Sequence, residues 1–207
     1  MDRLIWRAFC APLFLFALPV QANIIISEVF YDASGGDADQ VFVELYGDAG
    51  TSLDGWSLVG VNGNDGSAYL SIDLSGVIPD DGVFVIADGS AGVTEVVNAD
   101  LITDADFQNG PDSIQLFQDS SLMDAVGYGD FTSAFFAGEG NAALDVAAGE
   151  SLARVNLTDT NDNLTDFLAG TPTPGTVAVS AVPLPAAAGL FLSGIGLIVG
   201  TGRRRGV

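Results

Sequence analysis

The chain has no histidine and no lysine, and its one cysteine, Cys10, lies close to the start. Each absence removes a class of chemistry. Between residues 23 and 181 there can be no disulfide, no thiolate metal site and no His-assisted serine or cysteine nucleophile. A Schiff base or a Ser-Lys pair is excluded as well. Positive charge is scarce: the 6 cations are all arginines and only Arg154 falls in this stretch, against all but Asp2 of the 27 acidic residues. A surface without cations cannot track phosphates, so nucleic acid is not an expected partner, and anionic lipid headgroups are disfavoured. The acid keeps the surface solvated and suppresses self-association. Many of the aspartates stand beside glycine, where they start turns.

What the chain does have is apolar ends and a glycine-rich middle. Arg3 and Arg7 precede an apolar stretch at 11–20 that closes on Val20-Gln21-Ala22. This is the pattern of a secretory signal peptide over 1–22, cut after Ala22. At the other end, Val182, Pro183, Leu184, Pro185 and Ala186 introduce an uncharged run at 186–201, followed by Arg203, Arg204 and Arg205. As a helix rising about 1.5 Å per residue that run is ~24 Å long, short of the roughly 30 Å hydrocarbon core. Basic residues at its end place that end on the cytoplasmic side.

The order of VPLPA signature, marginal glycine-containing span and arginine cluster resembles the PEP-CTERM class of bacterial sorting signals. The resemblance implies a transient inner-membrane anchor cleaved by an exosortase-type protease. Signal peptidase and that protease are then the partners during export, and the membrane is met only through 182–207. The product goes to the cell surface or beyond, among extracellular polysaccharide. A permanent anchor is the competing reading.

Residues 23–175 have the length of one domain with a real core, with 176–181 as a linker. Short apolar stretches split by Gly, Asp and Asn predict strands at 24–30, 41–46, 56–61, 68–72, 83–87, 113–117, 122–128 and 150–155. Residues 31–40 read as a loop, and 88–111 as a loop with short structure. The polar turn 118–121 joins two of the strands in an antiparallel hairpin. Residues 131–149 form an excursion with a helical turn expected at 132–136. The prolines of 170–175 cannot continue a central strand and mark the domain boundary. The fold class is all-β: a two-sheet antiparallel sandwich, flanked by the signal peptide and a C-terminal hydrophobic helix.

The residues also carry a resemblance. Ile26-Ser27-Glu28-Val29, Phe42-Val43-Glu44-Leu45-Tyr46, Leu53-Asp54-Gly55-Trp56-Ser57-Leu58 and Phe84-Val85-Ile86-Ala87-Asp88 are followed by Asn109-Gly110-Pro111-Asp112-Ser113-Ile114-Gln115-Leu116. Asp124-Ala125-Val126-Gly127-Tyr128, Glu150-Ser151-Leu152-Ala153-Arg154 and Thr171-Pro172-Thr173-Pro174-Gly175 complete the order. Over 24–175 this is similar to a bacterial lamin-tail domain. The resemblance implies an immunoglobulin-like sandwich and no enzyme. Lamin tails can bind nucleic acid, a use this chain departs from because the cations are missing.

Carboxylates are the plentiful titratable groups. Glu28 and Glu44 as a catalytic pair would make a hydrolase, for which there is no positive signal. Glu44, beside Phe42 and near Trp56, is expected to meet Arg154 across the sheets in a structural pairing. Calcium is the cofactor these acidic loops admit, although none is required. Asp159, Asn161, Asp162 and Asn163 place oxygens as in the first positions of a calcium loop, but Leu164 replaces the turn glycine and Gly170 the bidentate Glu. Asp32, Asp37 and Asp39 form a second candidate, and turn chemistry competes at both.

The reading that follows is an exported, non-enzymatic surface or extracellular-matrix protein with a structural or adhesive role in an exopolysaccharide layer. The alternative is a calcium-dependent glycan- or protein-binding module, with Tyr31, Tyr46, Trp56, Tyr69 and Tyr128 as stacking aromatics wherever exposed.

Overall fold

The structure is a computed structural model describing residues 24–132 and 135–177. Ala22 and the expected signal peptide, residues 178–181, and the whole of 182–207 with Arg203, Arg204 and Arg205 lie outside the described residues.

Among the described residues, ten strands form two sheets. The larger contains β1 (Ile25–Phe30), β2 (Phe42–Tyr46), β5 (Val83–Asp88), β6 (Leu101–Thr103), β9 (Ser151–Arg154) and β10 (Phe167–Gly170) in the order β10-β9-β1-β2-β5-β6. The smaller is β4-β3-β7-β8, built from β3 (Trp56–Asn62), β4 (Ala68–Asp73), β7 (Asp112–Gln118) and β8 (Ser121–Tyr128). All neighbours are antiparallel except β5 and β6, which run parallel. Among the described residues the one α-helix, α1 (Asn163–Asp166), is one turn long and leads into β10.

The core lies between the sheets, because the pleat sends alternate residues inward. Val43 and Leu45 of β2 and Phe84 and Ile86 of β5 meet Trp56 and Leu58 of β3, Ile114 and Leu116 of β7, and Val126 and Tyr128 of β8. Tyr31 stacks on Tyr128 with ring centroids 4.2 Å apart, joining the two layers. In β1 the alternation breaks. Ile24 and Ile26 are in the core, and so are Val29 and Tyr31, because a bulge between Ile26 and Glu28 shifts the phase. Bulges insert one residue and re-aim the strand. Here the consequence is that Ser27 and Glu28 both face the outer side, beside Glu44.

That outer side of the larger sheet is also covered. Phe42, Val83 and Val85 form a second, smaller apolar cluster with Phe30, Tyr46, Val96 and Val177. Every residue of β5 is therefore buried, since it has protein on both faces.

Two strands escaped the sequence. β6 has three residues, too few for a period, and β10 lacks the polar alternation of a half-buried strand. Thr132, Phe135 and Phe136 are not helical where a helical turn was expected, and residues 133 and 134 lie outside the described ones. The hairpin turn is tighter than expected: Gln118 and Ser121 pair directly, leaving only Asp119 and Ser120 to turn the chain.

Candidate functional site

Two polar centres are built on the larger sheet, one on each side of β1 and β9. The inner one surrounds Arg154, whose side chain is fully buried. Its Nη2 donates to both oxygens of Asp124, at 2.8 and 2.7 Å, and its Nε donates to the carbonyl of Ile26 at 2.7 Å. Nη1 donates to Asp166 Oδ2 at 3.3 Å and stands 3.5 Å from Asp159 Oδ1. The guanidinium carbon lies 4.5 Å above the ring of Phe167. One side chain on β9 thus ties down β1, β8, α1 and the loop before it. The Ile26 N–H adds a second cross-sheet bond to Asp124 Oδ2 at 2.6 Å. Burial pushes the Asp124 carboxyl up, while the Arg154 charge and the Ile26 N–H pull it back down.

The sequence expectation of a Glu44–Arg154 pair is corrected by this geometry: the partner of Arg154 is Asp124. The β1 bulge and the pleat of β2 turn Glu44 to the outer face, whereas the guanidinium reaches into the gap between the sheets. Trp56 stands at the start of β3 in the main core, 2% exposed.

Several of the calcium-loop candidates are held in hydrogen bonds within the fold. Asn163 is buried: its Oδ1 accepts from the N–H groups of Gly127 and Glu139, and its Nδ2 donates to the carbonyl of Ala125. Asp162 accepts from Asn141 N–H and Nδ2, and Asn161 donates its N–H to Asp159. The segment is a knot that pins 137–141 and β8. In the other loop, Asp37 accepts from Ala33 N–H, and Asp39, at φ 62, donates its own N–H to Asp88. Gly149 donates its N–H to the backbone carbonyl of Asp32.

Among the described residues, the one group of three acidic side chains with oxygens within 4.8 Å of one another is Asp124, Glu139 and Asp159. Glu139 Oε2 is buried without a hydrogen-bond partner, and burial, with Asp124 and Asp159 adding to it, pushes this carboxyl up to about 7. Asp124 and Glu139 were missed by sequence reasoning. A readable signal existed for Asp124: an acid inside an apolar strand, in a domain with one cation.

The outer centre is the pair Glu28 and Glu44, directly opposed across β1 and β2. Both are buried, at 2% and 1% exposure. Glu28 accepts from Ser151 Oγ, from Thr173 N–H at 3.0 Å and from Thr173 Oγ1 at 2.9 Å. Glu44 accepts from Ser27 Oγ and from Gly175 N–H, both at 2.8 Å. Thr173 and Gly175 belong to a turn, 173–176, closed by Thr176 N–H to the carbonyl of Thr173. Proline followed by a glycine at φ 78 suits such a turn, which leaves the Gly175 N–H free to point at Glu44. A Cβ at Gly175 would stand 2.7 Å from Asn98, whose Nδ2 donates to the Pro174 carbonyl. Burial raises both carboxyls. It takes Glu44 to about 7, with the Glu28 charge adding and the Ser27 and Gly175 bonds opposing. Between them is a cavity of about 30 Å³, room for roughly one water.

A family model described as the Lamin Tail Domain matches residues 19–130. The chain belongs to the lamin tail domain family. No curated protein matches it significantly. The matched stretch contains β1 to β8, yet β9 and β10 extend the same sheet beyond it. Both Arg154 and the 173–176 turn therefore sit outside the match while completing the lamin-tail sandwich. Of the five aromatics weighed for sugar stacking, Tyr31, Trp56 and Tyr128 are buried in its core. Tyr46 and Tyr69 are half-buried in separate clusters.

Proposed function

We propose that this lamin-tail protein is an exported, non-enzymatic component of an extracellular polysaccharide layer, sorted through residues 182–207 and cleaved by an exosortase-type protease. The domain is an immunoglobulin-like module of a family that is generally non-catalytic. The observation that carries the reading is how its ionisable groups are used. The buried carboxylates and the lone arginine inside the fold tie strands and segments together: Arg154 joins the sheets, and Glu28 and Glu44 hold the 173–176 turn. Function is then carried by a rigid acidic surface and by the export signals read at both ends. The test is a chain lacking 182–207, expressed in its native setting. It is expected in soluble form, in the periplasm or medium, while the intact chain passes through the membrane fraction and is shortened at the 182–186 motif. Retention of the truncated chain in the membrane fraction would sink the sorting reading.

A second reading, a calcium-dependent binding module, is favoured by the proximity of Asp124, Glu139 and Asp159. Hard cations take such oxygens, although Asp124 is already held by Arg154. Thermal unfolding in chelator, calcium and equal magnesium separates the two: a calcium-specific rise marks ligand linkage, and equal small rises mark charge screening.

A further inference from the structure

The stretch 171–177 behaves as a bound peptide. After β10 it crosses back over the outer face of the larger sheet, where Thr173 and Gly175 give their N–H groups to Glu28 and Glu44 and Val177 packs against the cluster of Phe42, Val83 and Val85. Two acids lie side by side beneath it, and the hydrogen bonds that Thr173 and Gly175 donate to them end on carboxylate oxygens.

We propose that residues 171–177 form a pH-sensitive clasp, closed most tightly in acid and loosened as pH rises by ionisation of the Glu28–Glu44 pair under it. The charged groups around the pair do not offset such ionisation. From β9 comes Arg154, which borders the same cavity but directs its guanidinium to Asp124, Asp166, Asp159 and the Ile26 carbonyl. From the 79–82 turn and the segment before β6 come Asp81 and Asp100, which flank Gly175 and are themselves acidic. β5 presents Val83 and Val85, and the clasp itself brings no charged side chain. Ionising both glutamates under the closed clasp therefore places two like charges together out of water. Lifting the clasp returns them to solvent and to the ordinary carboxylate range. Closure takes up protons, so rising pH favours opening. Glu44, held at about 7 while the clasp is closed, sets the upper end of the transition.

Hydrogen exchange of the full chain between pH 5.5 and 8.5, corrected for intrinsic rates, tests this. The amides of Thr173 and Gly175 are expected to lose at least tenfold in protection relative to Leu116 of β7, and Glu44→Gln to abolish that slope. Protection independent of pH, or a slope retained in the variant, overturns the proposal. Should Glu44→Gln not fold, the ¹³C carboxylate signal of Glu44 in the unaltered chain decides. A midpoint well above the ordinary carboxylate range supports the clasp and one near 4.5 overturns it. Neither readout depends on where the chain is sorted.

Discussion

Arg154 shows what a single residue is made to do when it is the only cation in a fold. Its guanidinium meets acceptors on four separate segments, and its loss strands Asp124 in the interior. Removing one partner of a buried ion pair costs about 3–5 kcal/mol, while replacing both by apolar groups is often close to neutral. Arg154→Met is therefore expected to destabilise by about that amount in chemical denaturation, and Arg154→Met with Asp124→Leu to recover much of it. Arg154→Lys should resemble Arg154→Met, since an ammonium cannot reach four acceptors in a planar fork. Glu44 acts in the opposite sense. Its pKa rises on folding from 4.5 to about 7, so the folded state binds the extra proton. The resulting stability is complete below about 4.5 and is lost as pH climbs through about 7. Thermal unfolding should show a lower Tm at pH 8 than at pH 5. Glu44→Gln should flatten that decline and stabilise at pH 8 by on the order of 1–3 kcal/mol. An unchanged profile would mean that other acids carry the effect.

At the scale of elements, the strands with strong β-branched and aromatic content were legible, often to within a residue. Trp56–Asn62 and Val83–Asp88 are examples, because burial against a partner sheet selects those side chains. β6 and β10 were not, since their strand state comes from the neighbour they pair with. The β7–β8 hairpin was legible as a hairpin, but its register was not. Asp119 turns with φ 53 at the first central position of a two-residue loop, a place that favours glycine. Asp119→Gly is expected to stabilise by about 0.5–1 kcal/mol in a denaturant titration; a loss would show that the Asp119 side chain has a role in the turn. The 171–177 stretch shows the same limit. Its prolines and glycine announced a break in secondary structure, and nothing local announced that the turn would be held by buried acids on another part of the chain.

For the whole molecule, charge dominates. A formal net charge of −21 belongs to the full chain, and the sandwich itself carries nearly all the acid with only Arg154 to oppose it. Self-repulsion of this kind weakens as salt shortens the Debye length from about 30 Å at 0.01 M to about 3 Å at 1 M. Tm should therefore rise between 10 mM and 500 mM sodium chloride, without preference among monovalent cations. A fall in Tm would place the Arg154 pairs, rather than surface repulsion, in control.

By itself the sequence determined the all-β class, the lamin-tail likeness, the absence of thiol, imidazole and amine chemistry, and the acidic surface. These depend on composition and on local periods of two, which survive in any register. Only the tertiary structure decided which acids are interior, that Arg154 belongs to Asp124 and not to Glu44, and that a bulge at Ser27–Glu28 turns β1 outward beneath the clasp. Those outcomes rest on pairings between residues far apart in the chain. One residue of register shift moves a carboxylate from one face of a sheet to the other, and no single stretch of sequence records which register wins.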